Sequence, residues 1–230
     1  RQAVDTWFRK ETSGGPDDVA IKVDDCYSAM RDMVSDHGAA MIAMARSGKG
    51  AVMRTLIGSR VQQLVSRPVC PVAVVHPDAK PVSGDARVGV AVDFSPTSEA
   101  ALRVASELAS ALGARLHLVH VLYIPELPAL PDLVVPASTQ SMVDECMESL
   151  KQLARVHLGS PDAATLEVVV GSPVGSLEGY AERHDLDLLV VGHKGDRSAL
   201  GDFLGSVARG LITGAPCTVL VTPEDEPAED

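Results

Sequence analysis

Aromatic rings are scarce in this chain: 3 Phe, 3 Tyr and 1 Trp among 230 residues, or 3%. A core must therefore be assembled from Ala, Val, Leu and Met. Positive charge is also short, with 20 Lys and Arg against 31 Asp and Glu, giving a formal charge of −11. That balance argues against general affinity for DNA, RNA or anionic lipid, while leaving room for one basic pocket. No apolar run approaches the roughly 20 residues that a membrane span needs. No CxxC pair occurs among Cys26, Cys70, Cys146 and Cys217, and no histidine stands at metal spacing from them. Reduced, mostly buried thiols in a cytoplasmic protein are the expectation. No leader peptide is visible, and the sequence opens at Arg1 rather than Met, which points to residues upstream.

What the chain has is 46% hydrophobic and 22% charged residues, enough for a packed core. It also repeats itself. Gly48 and Gly195 stand 147 positions apart, as do Gly58 and Gly205, Ser59 and Ser206, Leu64 and Leu211, and Cys70 and Cys217. The same shift aligns His37 with His184 and Val23 with Val170, without a gap from about Val19 to Val75. Duplication explains this register better than chance.

The second copy reads as strands alternating with helices. Val88 to Val92 is an apolar run fit for a strand buried on both sides. Ser95 and Pro96 supply an N-cap and a first-turn proline. Leu102, Ala105, Leu108, Ala109 and Leu112 recur at helical spacing until Gly113 ends the helix. Strands follow at Arg115–Val121, Thr165–Val170, Leu186–Val191 and Cys217–Val221, with helices at Ser138–His157, Val174–His184 and Gly205–Gly214. The prolines at 125, 128, 131 and 136 mark residues 122–137 as a rigid loop. The pattern predicts an α/β fold with a doubly wound parallel sheet. Carried back by the repeat, it places Arg1–Glu11 in a helix tail and strands at Val19–Val23, Ala39–Met44 and Val72–Val75. Roughly sixty residues of the first copy, including two strands and a helix, are then expected upstream of Arg1. The domain plan is an N-terminal repeat over 1–78, a linker over 79–85, a C-terminal repeat over 86–223 and an acidic tail over 224–230.

After the fourth strand of the second copy comes Gly192-His-Lys-Gly195, then nine residues, then Gly205-Ser206. Glycines remove Cβ atoms where the backbone turns or a ligand approaches. Gly205 and Ser206 open a helix whose unpaired N–H groups and positive end suit a phosphate. With Val88-Gly-Val-Ala-Val-Asp93 and Ala215-Pro-Cys-Thr-Val-Leu-Val221, this pattern resembles the ATP-binding branch of the universal stress protein family, in tandem form. The resemblance covers residues 85–223 fully and 1–77 as a partial copy. It implies two tandem five-stranded sheets of strand order 3-2-1-4-5, in which the first and fourth strands meet at the topological switch point. It implies that Val92 and Asp93 end the first strand at the nucleoside and that Val121 packs on adenine. Val191, Gly192, Lys194 and Gly195 would then line the ribose and phosphates, and Gly205, Ser206 and Val207 the phosphate tail. The implied cofactor is ATP, with AMP or cyclic AMP as alternatives and Mg2+ accompanying ATP.

The first copy reads Ala45-x2-Gly48-x9-Gly58-Ser59, and its counterpart of Asp93 falls outside the sequence. No nucleotide is expected there, although Lys49 and Arg54 could hold an anion. Ser13-Gly14-Gly15-Pro16-Asp17 mimics a phosphate loop but stands between a helix and a strand, and reads as a turn. Met41, Met44, Met142 and Met147 read as core packing. The short apolar fifth strands would lie at sheet margins, where exposed pairing groups invite association. An intramolecular pseudo-dimer through them is expected, or a homodimer of such units. No catalytic residue stands out. The leading reading is a cytoplasmic regulatory or stress-response module that binds an adenine nucleotide, contacts neither membrane nor nucleic acid, and is read by a regulatory protein partner. A slow nucleotide hydrolase and an interaction scaffold with a vestigial pocket remain open.

Overall fold

A computed structural model describes residues 25–46, 58–79, 85–124, 139–195 and 204–224. The expected elements at 1–11 and 19–23, the turn at 13–17, Gly48, Lys49 and Arg54, most of the Pro-rich loop and all of the tail beyond Glu224 lie outside these residues. The chain divides into two compact units, Arg1–Gly38 and Ala39–Asp230. In the first, α1 (Cys26–His37) begins at Asp25, whose carboxylate accepts from the N–H groups of Tyr27 and Ser28, and it ends at Gly38 with φ +61°.

The second unit is one seven-stranded sheet. Its elements are β1 (Ile42–Ala45), α2 (Ser59–Ser66), β2 (Val72–Val75), β3 (Arg87–Val92), α3 (Pro96–Leu112), β4 (Arg115–Leu122), α4 (Thr139–Leu158), β5 (Thr165–Val170), α5 (Pro173–Arg183), β6 (Leu188–Gly192), α6 (Ser206–Gly214) and β7 (Thr218–Thr222). The strands lie in the order β1-β2-β7-β6-β3-β4-β5. All neighbours are parallel except β2 and β7, which run antiparallel with Ala73 opposite Leu220. From β3 onward the strands occupy the positions third, second, first, fourth, fifth.

Alternate residues of each strand feed two cores. Val88, Val90 and Val92 pack with Ala101, Leu102 and Ala105 of α3 and with Leu150 and Ala154 of α4. Val119 and Val191 face the other way, onto Leu177 of α5, Ala208 and Leu211 of α6, and Val61 of α2. Both faces are thus covered, as a parallel sheet requires. Gly89 leaves room for Leu186, in the turn before β6, because a Cβ there would lie 2.5 Å from Leu186 Cδ1. The α3 signals act as the sequence suggests: the Ser95 side chain accepts from the Ser98 N–H, Pro96 is in the first turn, and Gly113 closes the helix at φ +63°.

Some packing expectations fail. Met41 is 41% exposed, because it precedes the first paired residue of β1, and Leu112 is exposed in the last turn of α3. Of the four free cysteines, Cys70 and Cys217 are buried, whereas Cys26 and Cys146 are only half-buried. Burial pushes the Cys217 thiol up to about 12. Among the described residues no helix is long and apolar enough to cross a membrane.

Candidate functional site

The strand order reverses between β3 and β6, whose parallel register pairs Val90 with Val190. Crossovers leaving these two strands depart to opposite faces, and their carboxyl ends part to leave a crevice. A cleft of about 600 Å³ opens there. Its walls include Val92, Asp93, Val121, Val191, Gly192, Lys194, Gly195, Gly205, Ser206 and Val207, so the residues singled out from the sequence converge on one place. The volume lies within the usual span of small-ligand pockets, and aliphatic side chains supply most of the wall.

Two chain ends are tied together at its floor. The Ser95 N–H and hydroxyl both donate to Asp93 Oδ1, at 3.1 Å and 2.5 Å. The Ser95 and Thr97 hydroxyls lie 2.9 Å apart, and the Thr97 hydroxyl donates to the Lys194 carbonyl at 2.5 Å. Thr97 on the β3–α3 side is thereby bonded to the segment that leaves β6, with Ser95, held by Asp93, packed beside it. Ser95 and Thr97 are 2% and 4% exposed, so the link is made away from water, where an unmade hydrogen bond is most costly.

The glycines have a reason other than the turn expected of them. Gly192, Gly195 and Gly205 are all outside the left-handed region. They are needed for space. A Cβ on Gly192 would lie 2.9 Å from Thr97 Cβ and 3.1 Å from the Thr97 carbonyl, and one on Gly195 would strike the Asp93 carboxylate. On Gly205 it would meet Lys194 Cα at 3.2 Å and the His193 carbonyl at 3.3 Å. A methyl at the first position would therefore crowd the protein's own α3 start.

The other wall is the start of α6. Gly205 caps this helix without a side-chain hydrogen bond, while its own N–H returns to the His193 carbonyl at 2.7 Å. Among the described residues the first-turn N–H groups of α6 therefore have no side-chain cap, and Ser206 and Val207 border the cleft. Helix-start N–H groups of this kind attract anions. Lys194 lines the cleft too, with its ammonium 3.6 Å from Glu224 Oε2. His120 also borders the cleft, its Nδ1 2.8 Å from the Val92 carbonyl and its ring 4.6 Å from that of Phe94, centroid to centroid. A carbonyl only accepts, so Nδ1 carries the proton in that bond.

Sequence reasoning missed His120 on the cleft and Thr97 behind it, and Thr97 was the more legible of the two. Its signal was a hydroxyl four positions before Ala101, on the buried stripe of α3 that continues to Ala105 and Ala109. A polar side chain on such a stripe needs a partner, and the Lys194 carbonyl is that partner.

Comparison with known proteins agrees with this arrangement of strands and loops. A universal stress protein of Mycobacterium tuberculosis strain H37Rv is 34% identical over 217 residues, covering 92% of this chain and 72% of the relative. A second from that strain is 33% identical over 195 residues, covering 81% of this chain and 60% of its own. A crystal structure of a putative universal stress protein from Pseudomonas aeruginosa superposes with a TM-score of 0.70 at 16% identity, over 97% of this chain and 77% of that one. One from Archaeoglobus fulgidus gives 0.61 at 21% identity, over 86% and 67%. The sequence model of the universal stress protein family matches residues 6–76 and again 86–223. With the model matched over most of its length and a relative above 30% identity, this chain belongs to the universal stress protein family.

Proposed function

We propose that the chain is an adenine-nucleotide-binding regulatory module, with the nucleotide held in the cleft between β3 and β6. The observation that carries this reading is the meeting of an acid-bearing strand end, a loop bracketed by glycines and an uncapped helix start around one aliphatic cleft. The aliphatic wall at Val121 and Val191 suits a purine, the open N–H groups of α6 suit phosphate, and Lys194 supplies countercharge. Among the described residues no three His, Cys, Asp or Glu side chains group to hold a metal, so Mg2+ accompanying ATP would rest mainly on phosphate and water.

The proposed organisation is tandem, with repeats at 1–78 and 86–223 and the cleft in the second. It is supported by the register of β2 on β7, where Val72 faces Val221 and Val74 faces Val219 about the pair Ala73–Leu220. These are the same positions of the 147-residue repeat exchanged across a local two-fold axis, which is how a pseudo-dimer joins. A cytoplasmic setting and a protein partner that reads nucleotide occupancy complete the proposal.

Titration calorimetry of the whole chain with ATP, AMP and cyclic AMP tests it. Micromolar binding of at least one is expected, lost in Gly192→Val. Binding of none leaves a scaffold with a vestigial pocket. Steady-state ATP turnover that disappears in Asp93→Ala would instead favour a hydrolase.

A further inference from the structure

The parallel register of β6 and β7 sets Gly192 beside Thr222, and the His193 N–H continues the ladder to the Thr222 carbonyl at 3.0 Å. The two chains leave the sheet side by side. Two residues beyond each strand stand Lys194 and Glu224, whose charged ends lie 3.6 Å apart. Lys194 borders the cleft and Glu224 does not, so the carboxylate holds the ammonium from outside the walls. The positions 147 residues earlier are Ser47 and Pro77, and neither carries charge. The ion pair thus belongs to the copy that keeps the full glycine pattern.

We propose that Glu224 is a tethered counter-ion, which competes with the phosphates of the bound nucleotide for Lys194. The inference rests on the nucleotide reading of the cleft and concerns how that site is regulated. A phosphate at the α6 start and the Glu224 carboxylate are both anions, and Lys194 cannot fully serve both. The side chains of the pair are 28% and 52% exposed, so their attraction is screened and modest, and a polyphosphate can exchange for it. The cost of exchange falls on ligands that need Lys194. Nucleotides with a long phosphate tail pay it in affinity, whereas a nucleoside does not. Removing the carboxylate should sharpen the preference for ATP over adenosine.

Calorimetric titration of the whole chain and its Glu224→Gln variant with ATP and with adenosine, at low ionic strength, tests this. The expected result is ATP binding about two- to fivefold tighter in Glu224→Gln and adenosine binding unchanged. The gain should shrink in high salt and vanish in a Lys194→Gln background. ATP binding that is unchanged or weaker in Glu224→Gln, with the parent chain still binding ATP, overturns the competition but leaves the nucleotide reading standing. Equal gains for ATP and adenosine overturn it as well. If neither ligand binds either protein, the nucleotide reading fails and the inference falls with it.

Discussion

After β1 and after β6 the backbone closes a loop in the same way. The Arg46 N–H reaches the Val75 carbonyl at 3.3 Å, and the His193 N–H reaches Thr222 at 3.0 Å. The Gly58 N–H returns to the Arg46 carbonyl at 3.4 Å, and the Gly205 N–H to His193 at 2.7 Å. Each pair of partners is offset by 147 positions. The surroundings differ. β6 lies beside β3, whose exit contributes Asp93, Ser95 and Thr97, whereas β1 is a margin strand of the described sheet with β2 as its neighbour. Two strand ends and a helix start frame each loop, and at the second the exit of β3 adds a third chain end to the cleft. The space that a methyl would need at 192 is filled by Thr97, whereas Ala45 is exposed at the end of β1.

The join between the two frames is the place to break the comparison hardest. Leu220 is fully buried in β7 between Ala73 and Val190. Leu220→Pro removes a ladder N–H in the middle of the sheet and should cost about 3 kcal/mol or more, read by urea denaturation. A loss under about 1 kcal/mol would mean that Leu220 does not lie inside a continuous sheet in solution. Next comes the loop entry. Gly192→Val pushes a branched side chain into Thr97 and should weaken ATP binding at least about a hundredfold, at roughly 1–3 kcal/mol of stability. Ala45→Gly should add no second binding event. Calorimetric stoichiometry checks both variants, and micromolar affinity retained in Gly192→Val would place the site elsewhere.

Much of this was legible in the chain. Each strand and helix of the second copy within the described residues falls within about two residues of its expected limits, because apolar runs, Ser95-Pro96 and Gly113 are local signals. The ten residues expected at the site line one cleft: those after β6 are placed by the glycine spacing, and Val92, Asp93 and Val121 by the family resemblance. What could not be read was cause. Spacing shows that Gly192 and Gly195 lack side chains but not what would meet them, and Thr97 and Asp93 are distant in sequence. The Lys194–Glu224 pair was hidden for the same reason: it follows from the register of two strands rather than from either segment alone. Met41 failed because hydrophobicity does not tell the last residue before a strand from the first within it.

Thr97→Val isolates the third chain end at nearly constant shape. It deletes the hydroxyl that joins α3 to the Lys194 carbonyl. About 1 kcal/mol of stability and about tenfold in nucleotide affinity should go, with Thr97→Ser restoring most of both. If affinity is untouched while stability falls, the link holds the fold together without shaping the cleft.

The smallest effect separates the two strand exits by charge. At the C-terminal exit opposite charges, Lys194 and Glu224, face each other, whereas at the first exit the Arg46 guanidinium stands near His76. His76 Nδ1 accepts from the Asp78 N–H at 3.1 Å, so it is unprotonated and the proton sits on Nε2. Burial, and then Arg46, hold its pKa below the ordinary histidine value, with the Asp78 carboxylate pulling weakly the other way. The unfolded chain takes up a proton near pH 6.5 that the folded chain resists. This contribution to stability is therefore complete above about 6.5 and is lost as pH falls toward the lower folded value. His76→Asn keeps an acceptor for Asp78 but cannot titrate. Thermal midpoints at about pH 7.5 and about pH 5.5 should fall less in this variant than in the parent chain, by about a degree or two, since His76 is only partly buried. Equal falls would mean that neither burial nor the Arg46 charge perturbs His76 in the folded chain.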